Sequence, residues 1–201
     1  MYGSAVLEVQ GPEKTRRAFG RAIAFVAIML RCALSGCEVS RASRMAANNR
    51  SVMADLAKKD WMLLVLSAAE GTTLSPVQLQ KALFLVGENL PWAVGDNFYH
   101  FVPYNYGPFD PSVYSDAEAL AADGWGTISY QPGRKFYEYA ITTEGQMQAK
   151  RIKHALPSEV VKYVGSVVAW IKSVTFSELL RAIYAKYPDY ARHSVFRDSG
   201  A

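Results

Sequence analysis

Between residues 55 and 141 the spacing of apolar residues changes once, from helical to alternating, and that change limits the folds open to this chain. A first helix is expected over about 55–69, where Leu56, Leu63, Leu64, Val65 and Leu66 are apolar and Gly71 suits the end. Ser75-Pro76-Val77-Gln78 then opens a second, with an N-cap serine, proline at the first helical position and a capping-box glutamine. Leu79, Ala82, Leu83 and Val86 fall on one face of it. Asp110-Pro111 starts a third, whose buried stripe is Val113, Tyr114, Ala117, Leu120 and Ala121, and Gly124 closes it. Strands at 128–130 and 136–141 flank Gln131-Pro132-Gly133-Arg134, which fits a type II turn: proline presets its second position and glycine accepts positive φ at its third. Tyr137, Tyr139 and Ile141 share one face of the second strand, with Glu138 and Ala140 on the other.

Three helices followed by a β-hairpin is the order of a winged helix-turn-helix. The expected fold class is therefore α+β and mostly helical, with a winged helix-turn-helix core, a two-stranded wing and a C-terminal helical extension. In that extension Thr143 and Gln146 cap a helix carrying Met147, Lys150, Arg151 and Lys153. Pro157 precedes a valine-rich helix containing Val160, Val164, Val167 and Ile171. Thr175 and Glu178 form a further capping box, opening an amphipathic last helix of Phe176, Leu179, Leu180, Ile183, Tyr184 and Tyr187 that Pro188 ends. Three parts follow: a poorly structured or targeting-like extension at 1–52, a winged-helix-like domain at 53–142, and the helical extension at 143–201.

Charge separates the first part from the rest. Residues 1–52 hold eight basic against three acidic side chains, leaving fourteen basic and fifteen acidic beyond them, so the formal net charge of +4 comes from the N-terminal quarter. A nucleic-acid reader usually carries its positive footprint on the folded domain, and here that domain has none overall. Both cysteines, Cys32 and Cys37, also lie in the first quarter, which removes a disulfide framework or a cysteine-based zinc site from the main domain. Basic residues at 13–21, the apolar run 22–30 and Leu34-Ser35-Gly36-Cys37 outline a secretory signal with a lipoprotein-like cleavage box. Against this, Arg31 interrupts the apolar stretch, the uncharged run is too short to span a bilayer, and the basic region begins well inside the chain. The reading taken is an extension, with Met53 a natural first residue and a cytoplasmic location for 53–201, which carries no membrane segment.

The segment Leu79-Gln80-Lys81-Ala82-Leu83-Phe84-Leu85, then Tyr106-Gly107-Pro108-Phe109, then a helix ending before Gly124, resembles the SocA-like antitoxin domain, also called Panacea, and related bacterial winged-helix regulators. The likeness covers roughly 55–125. It implies toxin neutralisation or transcriptional regulation, with a toxin as the protein partner. Residues from Val160 onward have no counterpart in it.

Candidate sites follow from residue chemistry. Tyr104, Tyr106 and Phe109 crowd a Gly-Pro loop and are the expected partner-binding residues, since aromatics on a rigid loop anchor protein surfaces. A bland reading of the same rings is that they fold back over the core. Arg134 and Lys135 at the hairpin tip are the nucleic-acid-binding residues of the alternative, a DNA-binding transcriptional regulator; wing contacts position but do not specify. The third helix offers Ser112, Ser115, Asp116, Glu118 and Asp123 without one Lys or Arg, which argues against major-groove docking. Lys150, Arg151 and Lys153 are a further basic patch or simply a solvated helix face. His100, His154 and His193 lack metal spacing, and there is no nucleophile elbow, phosphate loop or dinucleotide fingerprint. No catalytic residues, cofactor or metal are therefore expected. The function read from the sequence is a non-enzymatic module, antitoxin-like or regulatory, that binds a protein, with the helical tail serving dimerisation or partner binding.

Overall fold

A computed structural model describes residues 56–197. The N-terminal expectations, the signal-like outline and Cys37 among them, lie outside the described residues. The order is α1 (Lys58–Ser67), α2 (Pro76–Asn89), α3 (Pro91–Val94), β1 (Val102–Tyr104), β2 (Gly107–Phe109), α4 (Ser112–Ala122), β3 (Gly126–Tyr130), β4 (Tyr137–Ile141), α5 (Thr143–Ala155), α6 (Ser158–Ser173) and α7 (Phe176–Lys186), then a 3₁₀ turn (Pro188–Ala191). The chain is α+β and mostly helical, with two small two-stranded antiparallel sheets.

The core is built around α1. Every residue from Trp61 to Ser67 is buried, the mark of a helix covered on all sides. It packs against α2, α4, α5, α6 and β4, so α5 and α6 close the same apolar centre as α2 and α4. The expected helix over 55–69 is shorter within the described residues, and Asp60 Oδ2 accepts the Ala57 N–H at 2.9 Å at its start.

The capping box of α2 forms as read: Ser75 Oγ accepts the Gln78 N–H and Gln78 Oε1 accepts the Ser75 N–H. Ser75→Ala is expected to cost about 1 kcal/mol in urea unfolding, and an unchanged midpoint would contradict this cap's contribution. Thr175 and Glu178 cap α7 in the same way. At α5 the cap is Thr142 rather than Thr143: Thr142 Oγ1 accepts the Gly145 N–H at 3.0 Å and donates to the Gly124 carbonyl at 2.7 Å. Gln146, read as Thr143's partner, accepts the Ser67 hydroxyl instead.

The hairpin β3–β4 pairs Gly126 with Ile141 through Tyr130 with Tyr137. Its turn closes with the Arg134 N–H on the Gln131 carbonyl and Gly133 at φ +89°. Leu74 exchanges two backbone hydrogen bonds with Tyr139 on the other edge of β4. The sequence suggests a loop or short strand over 98–102 and a turn-rich stretch over 103–109; β1 and β2 stand at the end of the first and within the second. Their register sets Pro103 opposite Pro108, and proline hides a strand from pattern reading because it cannot donate to a ladder. Among the described residues no helix is long and apolar enough to cross a membrane.

Candidate functional site

The β1–β2 hairpin is held from three sides. From α2, Gln80 clasps the chain just after it: Gln80 Nε2 donates to the Asp110 carbonyl at 2.9 Å and Gln80 Oε1 accepts the Asp110 N–H at 3.1 Å. Its neighbour Lys81, only 2 % exposed, donates from Nζ to the Pro108 carbonyl at 2.8 Å. Desolvation by burial pushes that amine down from its ordinary 10.5 to about 7. From α4, the Asp110 carboxylate accepts the Ser112 N–H and hydroxyl and the His100 N–H, at 2.7–2.8 Å. Burial pushes this carboxyl up, but those bonds outweigh it and hold the group below its usual range. From the C-terminal tail, Val195 N–H and Ser194 Oγ donate to the Asn105 carbonyl, and the Tyr184 hydroxyl donates to Ser194 Oγ. Gly107 sits at φ +87°, where an added Cβ would meet Tyr184 Cε1 at 3.1 Å. Glycine is therefore required there by conformation and by space.

On this platform the three aromatic residues part company. Tyr104 and Phe109 stack at 4.9 Å between ring centroids, and Phe109 reaches Tyr114 at 5.8 Å, which in turn stacks on Tyr139. Tyr106 turns the other way and meets Phe176 edge-on at 5.4 Å, with Phe196 beyond it at 6.0 Å from Phe176. Tyr104 is 50 % and Tyr106 43 % exposed, so neither ring is folded into the core. Phe176 and Phe196 were not singled out from sequence; Phe176 looked like one apolar position of an amphipathic helix, yet it is 45 % exposed.

Arg134 and Lys135 are the two basic side chains of the hairpin, and they have different surroundings. Arg134 lies over the Phe136 ring at 5.9 Å, with Nε 3.6 Å from Glu138 Oε1; Lys135 is exposed. The acidic side of α4 is partly engaged, Asp116 accepting the Tyr99 hydroxyl at 2.7 Å and Asp123 pairing with Lys59 at 2.9 Å, while Glu118 is exposed. Lys153 donates to Ser67 Oγ at 2.6 Å, whereas Lys150 and Arg151 face solvent. Among the described residues no three His, Cys, Asp or Glu side chains converge to hold a metal ion.

Glu138 is the polar residue whose burial strand alternation did not disclose. It is 6 % exposed and borders a pocket of about 330 Å³ between the hairpin and the start of α7. Thr73 Oγ1 and Gln131 Nε2 both donate to its Oε2, at 3.1 and 2.9 Å. No family model, curated protein or solved structure matches this chain.

Proposed function

We propose that the chain is a non-enzymatic, protein-binding module of antitoxin-like or regulatory type, built on a winged-helix-like core. The observation that carries this reading is a pair of half-exposed tyrosines, Tyr104 and Tyr106, on a hairpin fastened from α2, α4 and the C-terminal tail. Half-exposed aromatics on a scaffold already ordered bind a partner without a large ordering cost. The core order supports the winged-helix part of the reading: three long helices precede β3–β4, and Leu74 adds a short bridge to the far edge of β4. The motif residues that suggest an antitoxin domain, Gln80, Lys81 and the Tyr106–Phe109 loop, act here as one unit in which the first two hold the third.

DNA reading gains little from the same surface. The exposed side of α4 carries Glu118 and no Lys or Arg, and a carboxylate there repels phosphate.

The test is co-purification from the native host with the full chain. One defined protein should accompany the wild type and be lost, by roughly thirtyfold in affinity, from Tyr104→Ala or Tyr106→Ala, the scale of an interface anchor. Met147→Ala on α5, a residue 57 % exposed, should retain it. Retention by both tyrosine variants refutes the proposed face.

A further inference from the structure

We infer that the pocket between the β3–β4 hairpin and α7 takes the side chain of a lysine or arginine from a protein partner, its cation on Glu138 and its alkyl stem along Val77, Val174 and Leu179. The inference rests on the protein-binding reading above and names the chemistry the partner must present.

Three observations converge on it. First, Glu138 is a carboxylate removed from water, its side chain 7 % exposed, yet both neutral donors fall on Oε2. Oε1 is left facing Arg134 Nε at 3.6 Å, beyond hydrogen-bond range. A buried charge left so incompletely paired gains from a closer cation, because a charge-assisted hydrogen bond in a low-dielectric site is stronger than a long contact. Second, the walls suit an alkyl chain: Val77, Val174, Leu179 and the rings of Phe136 and Phe176 line it. Such walls cover a lysine or arginine stem while its head stays polar, and a ring beside the cation adds to the attraction. Third, Phe176 serves as both a pocket wall and the neighbour of Tyr106 at 5.4 Å, so the pocket opens beside a ring of the proposed docking face.

Arg134 already sketches the bound arrangement, with its guanidinium near Phe136 and Nε towards Glu138. Its side chain is 56 % exposed, and at 3.6 Å its contact is too long for a hydrogen bond, so Arg134 is held weakly. It therefore behaves as a displaceable occupant, and removing it should help rather than harm an incoming cation.

The experiment uses the full-length chain and small probes: n-butylguanidinium and n-butylammonium, with n-butanol and butyrate as the neutral and anionic counterparts. Backbone amide shifts of Thr73, Phe136 and Glu138 are followed by NMR as each probe is added at millimolar concentration. Both cations should give saturable shifts, and butyrate none. Glu138→Gln should weaken cation binding by about tenfold or more, and Arg134→Ala should tighten it severalfold. Because Arg134 is on the surface, its variant keeps the test decisive even if Glu138→Gln disturbs the hairpin. Equal binding of butanol and butylguanidinium, an unchanged or weaker affinity in Arg134→Ala, or no saturable shift at all overturns the inference. These failures differ from that of the docking face, which is lost when Tyr104→Ala and Tyr106→Ala keep their partner whatever the probes do.

Discussion

Lys81→Met is expected to stabilise the protein at pH 6 and to lose most of that advantage by pH 9. The amine of Lys81 is 2 % exposed, bonded to the Pro108 carbonyl, and paired with no carboxylate among the described residues. Burial pushes its pKa down from 10.5 to about 7. Between those values the unfolded chain holds a proton that the folded chain does not, so stability rises with pH across that window. Below it both states are charged, and the folded state carries the full penalty of an ammonium in an apolar site. Methionine keeps an unbranched side chain and removes the charge. At pH 6 that relief exceeds the roughly 1–3 kcal/mol of leaving the Pro108 carbonyl unbonded. At pH 9 the folded lysine is neutral and bonded, but removing the proton that the unfolded chain's lysine still holds costs about 2 kcal/mol, so relief and loss nearly cancel. The stability difference should therefore shift towards the wild type by about 1.4 kcal/mol per pH unit above 7, near 3 kcal/mol by pH 9. Urea titrations at pH 6, 7, 8 and 9 measure it. A difference that does not change with pH would show that the folded protein keeps this lysine charged.

That lysine also marks the limit of what the sequence discloses. The α2 stretch from Leu79 to Val86 is apolar on both sides, leaving Gln80 and Lys81 no solvent face to occupy. Leu79, Ala82, Leu83 and Val86 define one buried face, and nothing in their spacing says that Gln80 and Lys81 are buried too. Helices with strong ends were readable, because capping is decided within four residues: α2 and α7 begin where Ser75 and Thr175 place them. The β3–β4 hairpin was readable for a similar reason, its turn being fixed by Pro132 and Gly133. The β1–β2 hairpin was not, since Pro103 and Pro108 argue locally against any strand and only tertiary anchoring by Lys81, Asp110 and Asn105 overrides them. Burial of Glu138 was equally hidden. Alternation places it opposite Tyr137 and Tyr139, but cannot say that Thr73 and Gln131 will cover that side. The tyrosine cluster was visible as composition; its division into a Tyr104–Phe109 stack and a Tyr106–Phe176 contact depends on a helix some seventy residues later.

Gly145→Ala should cost about 3 kcal/mol, against a gain from Gly165→Ala, although both glycines lie within helices. A Cβ on Gly145 would overlap the Trp125 carbonyl oxygen and approach Ile141 Cγ1 to 2.7 Å. The first obstacle is backbone and already committed, because the Trp125 carbonyl accepts the Thr142 N–H at 3.1 Å. Thr142 is itself tied to the Gly124 carbonyl and to the Gly145 N–H. The alanine methyl has no rotamer by which to escape, so α5 must lift away from the end of α4. Lifting it strains the bonds that Gln146 and Lys153 make to Ser67 on α1, which is why the cost sits at the upper end for overpacking. For a chain of this size that corresponds to a fall in Tm of roughly 10 °C. At Gly165 on α6 a Cβ meets nothing within 4 Å and φ is not positive, so alanine only restricts the unfolded chain and adds about 0.5–1 kcal/mol. Thermal and urea unfolding of the two variants side by side decides the matter. If Gly145→Ala melts with the wild type, the close approach of α5 to the Trp125 carbonyl is not a feature of the folded protein.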